Sequence, residues 1–162
     1  IKEVNVLAEE INYKDLFFDK IELEANEVKI NFELNHKELK LKDNFMLNFR
    51  ISISENSLLK TLLSNNWNWI RKLITKEILN QEQLEDIKIK NDQIILKASK
   101  DKGNLEEEER KVDIKSKNGN IYLENKTYNK SIKIPIEDKV FIKNINVKND
   151  FIIISATSSI SF

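Results

Sequence analysis

The sequence predicts an α+β fold in which a large curved antiparallel β-sheet wraps a central helix or helix pair. Two observations carry that expectation. Apolar residues alternate with polar ones through most of the chain, the signature of half-buried strands, and one leucine-rich stretch near the middle switches to helical spacing. A sheet of many strands with one helical segment to cover it has to curl rather than stay flat. The 162 residues suit one domain, 1–162, with strands over 3–53, a helical segment over 55–80 and strands again over 85–160.

Val4, Val6 and Ala8 open the alternation, and Ile21, Leu23 and Ala25 continue it. Val28, Ile30, Phe32 and Leu34 then resume in the opposite phase, which predicts a bulge or bend near Asn26 and Glu27. After Leu39 and Leu41 comes the best-patterned run: Phe45, Leu47, Phe49, Ile51 and Ile53 on one face, with Asn48, Arg50 and Ser52 on the other. At Ser54 the period changes. Ser54 suits an N-cap, Glu55 suits the positive end of a first turn, and Leu58, Leu59, Leu62 and Leu63 recur at helical spacing. Ser64, Asn65 and Asn66 interrupt the helix, and Trp69, Ile70, Leu73, Ile74 and Ile78 form a second apolar stripe that is most simply core.

Strands return with Ile87 and Ile89, Ile94 to Ala98, Val112 and Ile114, and Ile121 and Leu123. Asn118 and Gly119 are the strongest hairpin signal, since both tolerate the positive φ of a type I′ turn. Asp101 to Lys111, with consecutive glutamates from Glu106 to Glu109, reads as a solvated loop because like charges repel. The last strands hold Ile132 to Ile136, Val140 and Ile142, Ile145 and Val147, and Phe151 to Ala156. The stretch from Ile87 to Ser99 matches that from Ile145 to Thr157, either as two hairpins obeying the same turn rules or as a repeated unit.

Composition removes most catalytic tools. With no cysteine and one histidine, His36, the chain lacks thiol nucleophiles, thiolate metal sites and disulfides, and two glycines cannot build a phosphate cradle. No cofactor, metal site or catalytic residue is expected, and the chain is not read as an enzyme. His36 lies in a polar turn with no neighbouring metal ligands. Asp92 and Asp150 sit at turn tips, where local hydrogen bonding explains them. The glutamate run lacks the ordered oxygen spacing of a calcium loop. The 27 basic and 27 acidic residues cancel, and no strand carries an RNA-recognition motif, so no nucleic-acid partner is expected. Asn66, Trp67, Asn68, Trp69, Ile70, Arg71 and Lys72 place two amphipathic rings beside cations at a helix break, a combination suited to a membrane interface.

Three blocks carry a resemblance to a known family. The strand from Phe18 to Ile30, the run from Phe49 to Leu58 in which a strand passes into a helix through Ser54 and Glu55, and the hairpin from Ile145 to Ser158 together resemble the LmeA-like phospholipid-binding family, in its branch from photosynthetic bacteria. The departures are Asn56, Ser57 and Leu58 at the helix opening, where the family often has an acidic residue, and Asn or Lys in place of turn glycines. The resemblance implies a curved sheet around a helix and binding of acyl-chain lipids, with no catalytic residues to carry over.

The expected function is a non-catalytic lipid-binding or membrane-associated domain, with phospholipid or a membrane surface as partner and the cell envelope or membrane periphery as location. Its apolar groove would be lined by Phe45, Leu47, Phe49, Ile51, Leu58, Leu59, Leu62, Leu63, Trp69, Ile70 and Leu73. Lys60, Arg71, Lys72 and Lys76 would meet headgroups, and Trp67 would anchor at the interface. The alternative is a structural or protein-interaction domain whose seam is filled by its own side chains.

Overall fold

The computed structural model describes residues 2–33, 38–41, 43–100 and 108–161. Twelve strands and a short helical segment run in the order β1 (Glu3–Tyr13), β2 (Leu16–Asn26), β3 (Ile30–Glu33), β4 (Glu38–Leu41), β5 (Phe45–Ser54), α1 (Glu55–Leu63), α2 (Asn68–Leu73), a π-helical turn (Ile74–Ile78), β6 (Gln83–Lys90), β7 (Gln93–Ser99), β8 (Glu108–Lys117), β9 (Asn120–Asn125), β10 (Lys130–Ile134), β11 (Val140–Lys148) and β12 (Phe151–Ile160). The antiparallel α+β character matches the sequence expectation. The long strands, however, divide between two five-stranded sheets rather than joining one. The first has the order β1-β2-β5-β12-β11, the second is the meander β10-β9-β8-β7-β6, and β3 and β4 form a separate hairpin. The division has a topological cause: β6 follows the helical segment and starts a fresh meander, whereas β12 returns to pair with β5, Ile152 opposite Ile53 and Ala156 opposite Phe49.

Local chemistry explains the boundaries. Ser54 caps α1, its hydroxyl accepting from the Ser57 amide at 3.3 Å, and Asp19 from β2 holds Ser54 in place by accepting from its amide at 2.6 Å and its hydroxyl at 3.0 Å. The bend expected near Asn26 and Glu27 is present, and it ends the strand. Glu27 takes a φ of 56° and donates its amide to the Lys2 carbonyl, so β2 stops and β3 starts anew. The phase change between Ile142 and Ile145 is a bulge within the single strand β11. Glu108 to Lys111 belong to β8 rather than to the expected loop, their backbone pairing with β7 outweighing the repulsion of neighbouring glutamates.

Two-residue turns close the hairpins at Asn91 and Asp92, at Asn118 and Gly119, and at Asn149 and Asp150, each with positive φ at both positions. Both copies of the repeated stretch therefore form hairpins of the same kind, and their tips meet where the Asn149 amide donates to Asp92 Oδ1 at 3.0 Å. Gly119 does more than turn the chain. Its carbonyl accepts from the Ile142 amide at 3.0 Å, tying the β8–β9 turn to β11, and a Cβ at Gly119 would lie 2.4 Å from Phe141 Cδ2. Gly119→Ala is expected to cost about 1–2 kcal/mol through left-handed strain and displacement of the Phe141 ring. Denaturant unfolding of this variant, and of the double variant with Phe141→Ala, separates the two causes: the second change should recover only the steric part.

The core joins both sheets to the helical segment. Leu62, Ile74, Ile78 and Leu79 pack with Leu84, Ile87, Ile89, Ile94, Leu96 and Val112 of the second sheet and Ile152, Ile154 and Ala156 of β12. The π-turn widens the helix by one residue per turn, so consecutive Ile78 and Leu79 are both fully buried. Asn125, also fully buried, donates its amide to the Ile78 carbonyl at 3.1 Å and accepts from the Thr127 amide at 3.0 Å, so both ends of its side-chain amide are satisfied.

Candidate functional site

Alternate residues of β1, β2 and β5 place apolar rows on one face of the first sheet, because facing residues in an antiparallel ladder project to the same side. Ala156 of β12, Phe49, Leu23 and Val6 form one row across that face, and Ile154, Ile51, Ile21 and Ala8 form the next. Burial falls steadily along the first row. Ala156 is 1% exposed, Phe49 and Leu23 are half-buried, and Val6 at the edge is 46% exposed. Phe45, Leu47, Ile51 and Ile53 of β5 are half-buried as well, whereas Leu84, Ile87, Ile94, Leu96 and Val112 of the second sheet are almost wholly enclosed. The core is closed at one end and open along the β1–β2–β5 face.

The remaining groove candidates separate. Leu62 is enclosed in the core and lines no surface, and Leu58 and Ile70 pack against that core as partly buried residues. Leu59 and Leu73 are half-buried. Two expectations are corrected. Leu63, at 55%, and Trp69, at 40%, face outward rather than into a seam. Leu63 ends α1 just past its buried residues Thr61 and Leu62, and α2 is a helix of six residues that reaches the core through Ile70 and the following Ile74, so it buries a narrower stripe than the sequence periodicity implies.

Trp67 is half-buried rather than free at the surface. Its indole Nε1 donates to the Lys14 carbonyl at 2.8 Å, while Asn66 Nδ2 donates to Asp15 Oδ2 at 2.8 Å. The α1–α2 junction is thus pinned to the β1–β2 turn. That turn, at Lys14 and Asp15 with φ of 51° and 65°, was missed in the sequence because neither residue is Gly or Asn. Trp67 and Trp69 lie with ring centroids 6.4 Å apart. Among the headgroup candidates, Lys60 and Lys72 are exposed. Arg71 is drawn inward, donating to the Leu84 carbonyl at 2.8 Å, and Lys76 pairs with Glu77 at 3.2 Å.

One buried charged cluster also escaped the sequence reading. Arg110 of β8 donates to Glu82 Oε1 at 2.9 Å, to the Tyr128 hydroxyl at 3.0 Å, and to Glu108. Burial by itself would lower the Arg110 pKa, but the hydrogen bonds to Glu108, Glu82 and Tyr128 outweigh it, so the guanidinium is held above its ordinary value. The same guanidinium keeps the Glu108 carboxyl below the usual carboxylate range. Glu82 is 8% exposed, and its Oε2 is buried with no hydrogen-bond partner among the described residues. Arg110 stands in phase with Val112 and Ile114, and that in-phase charge was the available signal. The cluster is a clasp joining β8 to the chain leaving the π-turn.

The described surface carries concavities of several hundred Å³ or less. One, of about 500 Å³, lies around Gly119, Pro135 and Phe141; a second, of about 440 Å³, lies on the polar face of β1, β2 and β5 around Glu22 and Arg50; a third, of about 250 Å³, lies between Asp92, Asp113 and Val147. None of the three is lined by a residue of the helical segment. Among the described residues no group of three or more His, Asp or Glu side chains is placed to hold a metal ion, and no helix is long and apolar enough to cross a membrane. His36 lies outside the described residues.

Fold and surface together define an α+β chain of two antiparallel sheets with a partly open apolar face. No protein-family model, curated protein or solved structure matches it.

Proposed function

We propose that the chain is a non-catalytic lipid-binding domain of the membrane periphery or cell envelope, with an acyl chain lying on the apolar face of β1, β2 and β5 beside α1. The graded exposure from Ala156 through Phe49 and Leu23 to Val6 carries the reading. A row of aliphatic and phenyl groups with no polar side chain among them offers contact to methylenes and nothing directional to a polar ligand. The curvature of the strands toward the helical segment and the phospholipid preference both come from the family resemblance. Each methylene removed from water gains about 0.8 kcal/mol, so about ten supply roughly 8 kcal/mol before ordering costs, enough for useful affinity.

Titration with a fluorescent phospholipid probe below its micelle concentration tests this. Saturable binding is expected. Val6→Glu together with Leu23→Ser should weaken it about tenfold or more at unchanged secondary structure, since both side chains are solvent-accessible. A wild-type protein that leaves the probe emission unchanged defeats the proposal and favours an interaction domain with a self-filled core.

A further inference from the structure

The second apolar surface of the molecule lies where three pieces of chain converge, and it differs from the sheet face in being cationic. At the β1–β2 turn, Tyr13 is 60% exposed and Lys14 Nζ sits 5.3 Å from its ring centroid. At the end of α1, Lys60 and Leu63 stand three residues apart on one helix face, with Lys60 Nζ 6.0 Å from the Phe17 ring centroid. On α2, Trp69 and Lys72 repeat the same spacing. Each piece thus presents one exposed apolar or aromatic group beside one ammonium. The pieces are fixed to one another: Trp67 and Asn66 bind the β1–β2 turn, and the Phe17 amide donates to Thr61 Oγ1 at 3.0 Å. Asp15, the carboxylate of that turn, is engaged by Asn66.

We propose that this tip is a docking surface for an anionic lipid bilayer, with Tyr13, Leu63 and Trp69 entering the interfacial layer and Lys14, Lys60 and Lys72 meeting the phosphates. The pairing of each apolar group with a cation is the complement of that layer, where hydrocarbon begins just beneath a sheet of negative charge. Rings that are amphipathic, as in Tyr and Trp, settle at this depth. A protein partner would need no such coincidence of ammonium and apolar group at all three pieces. Docking by the tip is separable from occupancy of the sheet face, because the two surfaces share no residue named for either.

Flotation with phosphatidylcholine vesicles, with and without one third phosphatidylserine, tests the proposal. The protein should float with the anionic vesicles only, and less so as salt is raised. Lys14→Gln or Lys60→Gln should each weaken binding about fivefold, and Trp69→Ser together with Leu63→Ser about tenfold or more. All of these variants should keep the unfolding midpoint and the monomeric lipid-probe affinity of the parent. Equal flotation on neutral vesicles, no flotation on anionic ones, or tip variants that float as well as the parent would each overturn it. If the sheet-face reading alone fails, the probe titration is flat while flotation persists.

Discussion

Ile78→Ala is expected to lower the unfolding free energy by about 3–4 kcal/mol, whereas Leu23→Ala should lower it by only about 1 kcal/mol. Both remove an aliphatic side chain, so the difference isolates the environment. Ile78 is fully buried at the π-turn within the shared core, and its loss leaves a cavity that a close-packed neighbourhood cannot fill. Leu23 lies in the half-open row, where water already reaches the side chain and no cavity forms. Urea unfolding with a common slope measures both. Equal costs would mean that the β1–β2–β5 face is as enclosed as the rest of the core, and the lipid reading would lose its physical basis.

Arg110→Leu is expected to cost about 3 kcal/mol, since among the described residues it leaves the buried Glu82 carboxylate with only the Tyr128 hydroxyl as partner, at 3.3 Å. The double variant Arg110→Leu with Glu82→Leu should recover most of that loss, because no uncompensated charge then stays behind. The clasp also carries a pH dependence. Glu108 has its pKa lowered in the folded state by the hydrogen bond to Arg110, so its stabilising contribution is complete above the unfolded carboxylate pKa and fades as pH falls through the lower folded value. Glu108 is solvent-exposed, and its share is correspondingly slight. The stability gap between the parent and Arg110→Leu, measured from neutral to acid pH, should therefore narrow slightly toward acid. A gap that widens toward acid would mean that Arg110 does not hold the Glu108 carboxylate.

The strands were legible in this sequence wherever one face is covered, because burial writes period two into the residues. The run from Phe45 to Ile53, the switch to helix at Ser54 and the turn at Asn118 and Gly119 all stand where alternation, capping and turn chemistry put them. What escaped depends on neighbours that are distant in sequence. The turn at Lys14 and Asp15 is held by Asn66 and Trp67 across more than fifty residues, so its own residues carry little signal. Trp69 shares the spacing of a core stripe, yet six helical residues leave it on the rim. The groove candidates on β5 are half-buried, but the sequence does not tell which of Leu58, Leu62 and Leu63 on the same helix is enclosed and which turns outward. One charge in phase with a buried run, Arg110, is the sign of the clasp that the sequence carries.

The strand order of the first sheet has a consequence for how the chain assembles. The second sheet is a meander whose every ladder joins consecutive strands, so it can form from local encounters. The first sheet cannot be completed that way. Its β5–β12 ladder joins Phe151 to Ser54, and closing so long a loop comes at an entropic cost that local hairpins avoid. Until β12 arrives, β5 presents a free edge of ten residues beside an apolar face, the arrangement that recruits strands from other molecules. Slow closure of one ladder therefore makes the nascent chain sticky along the same strands that stay half-open in the finished protein.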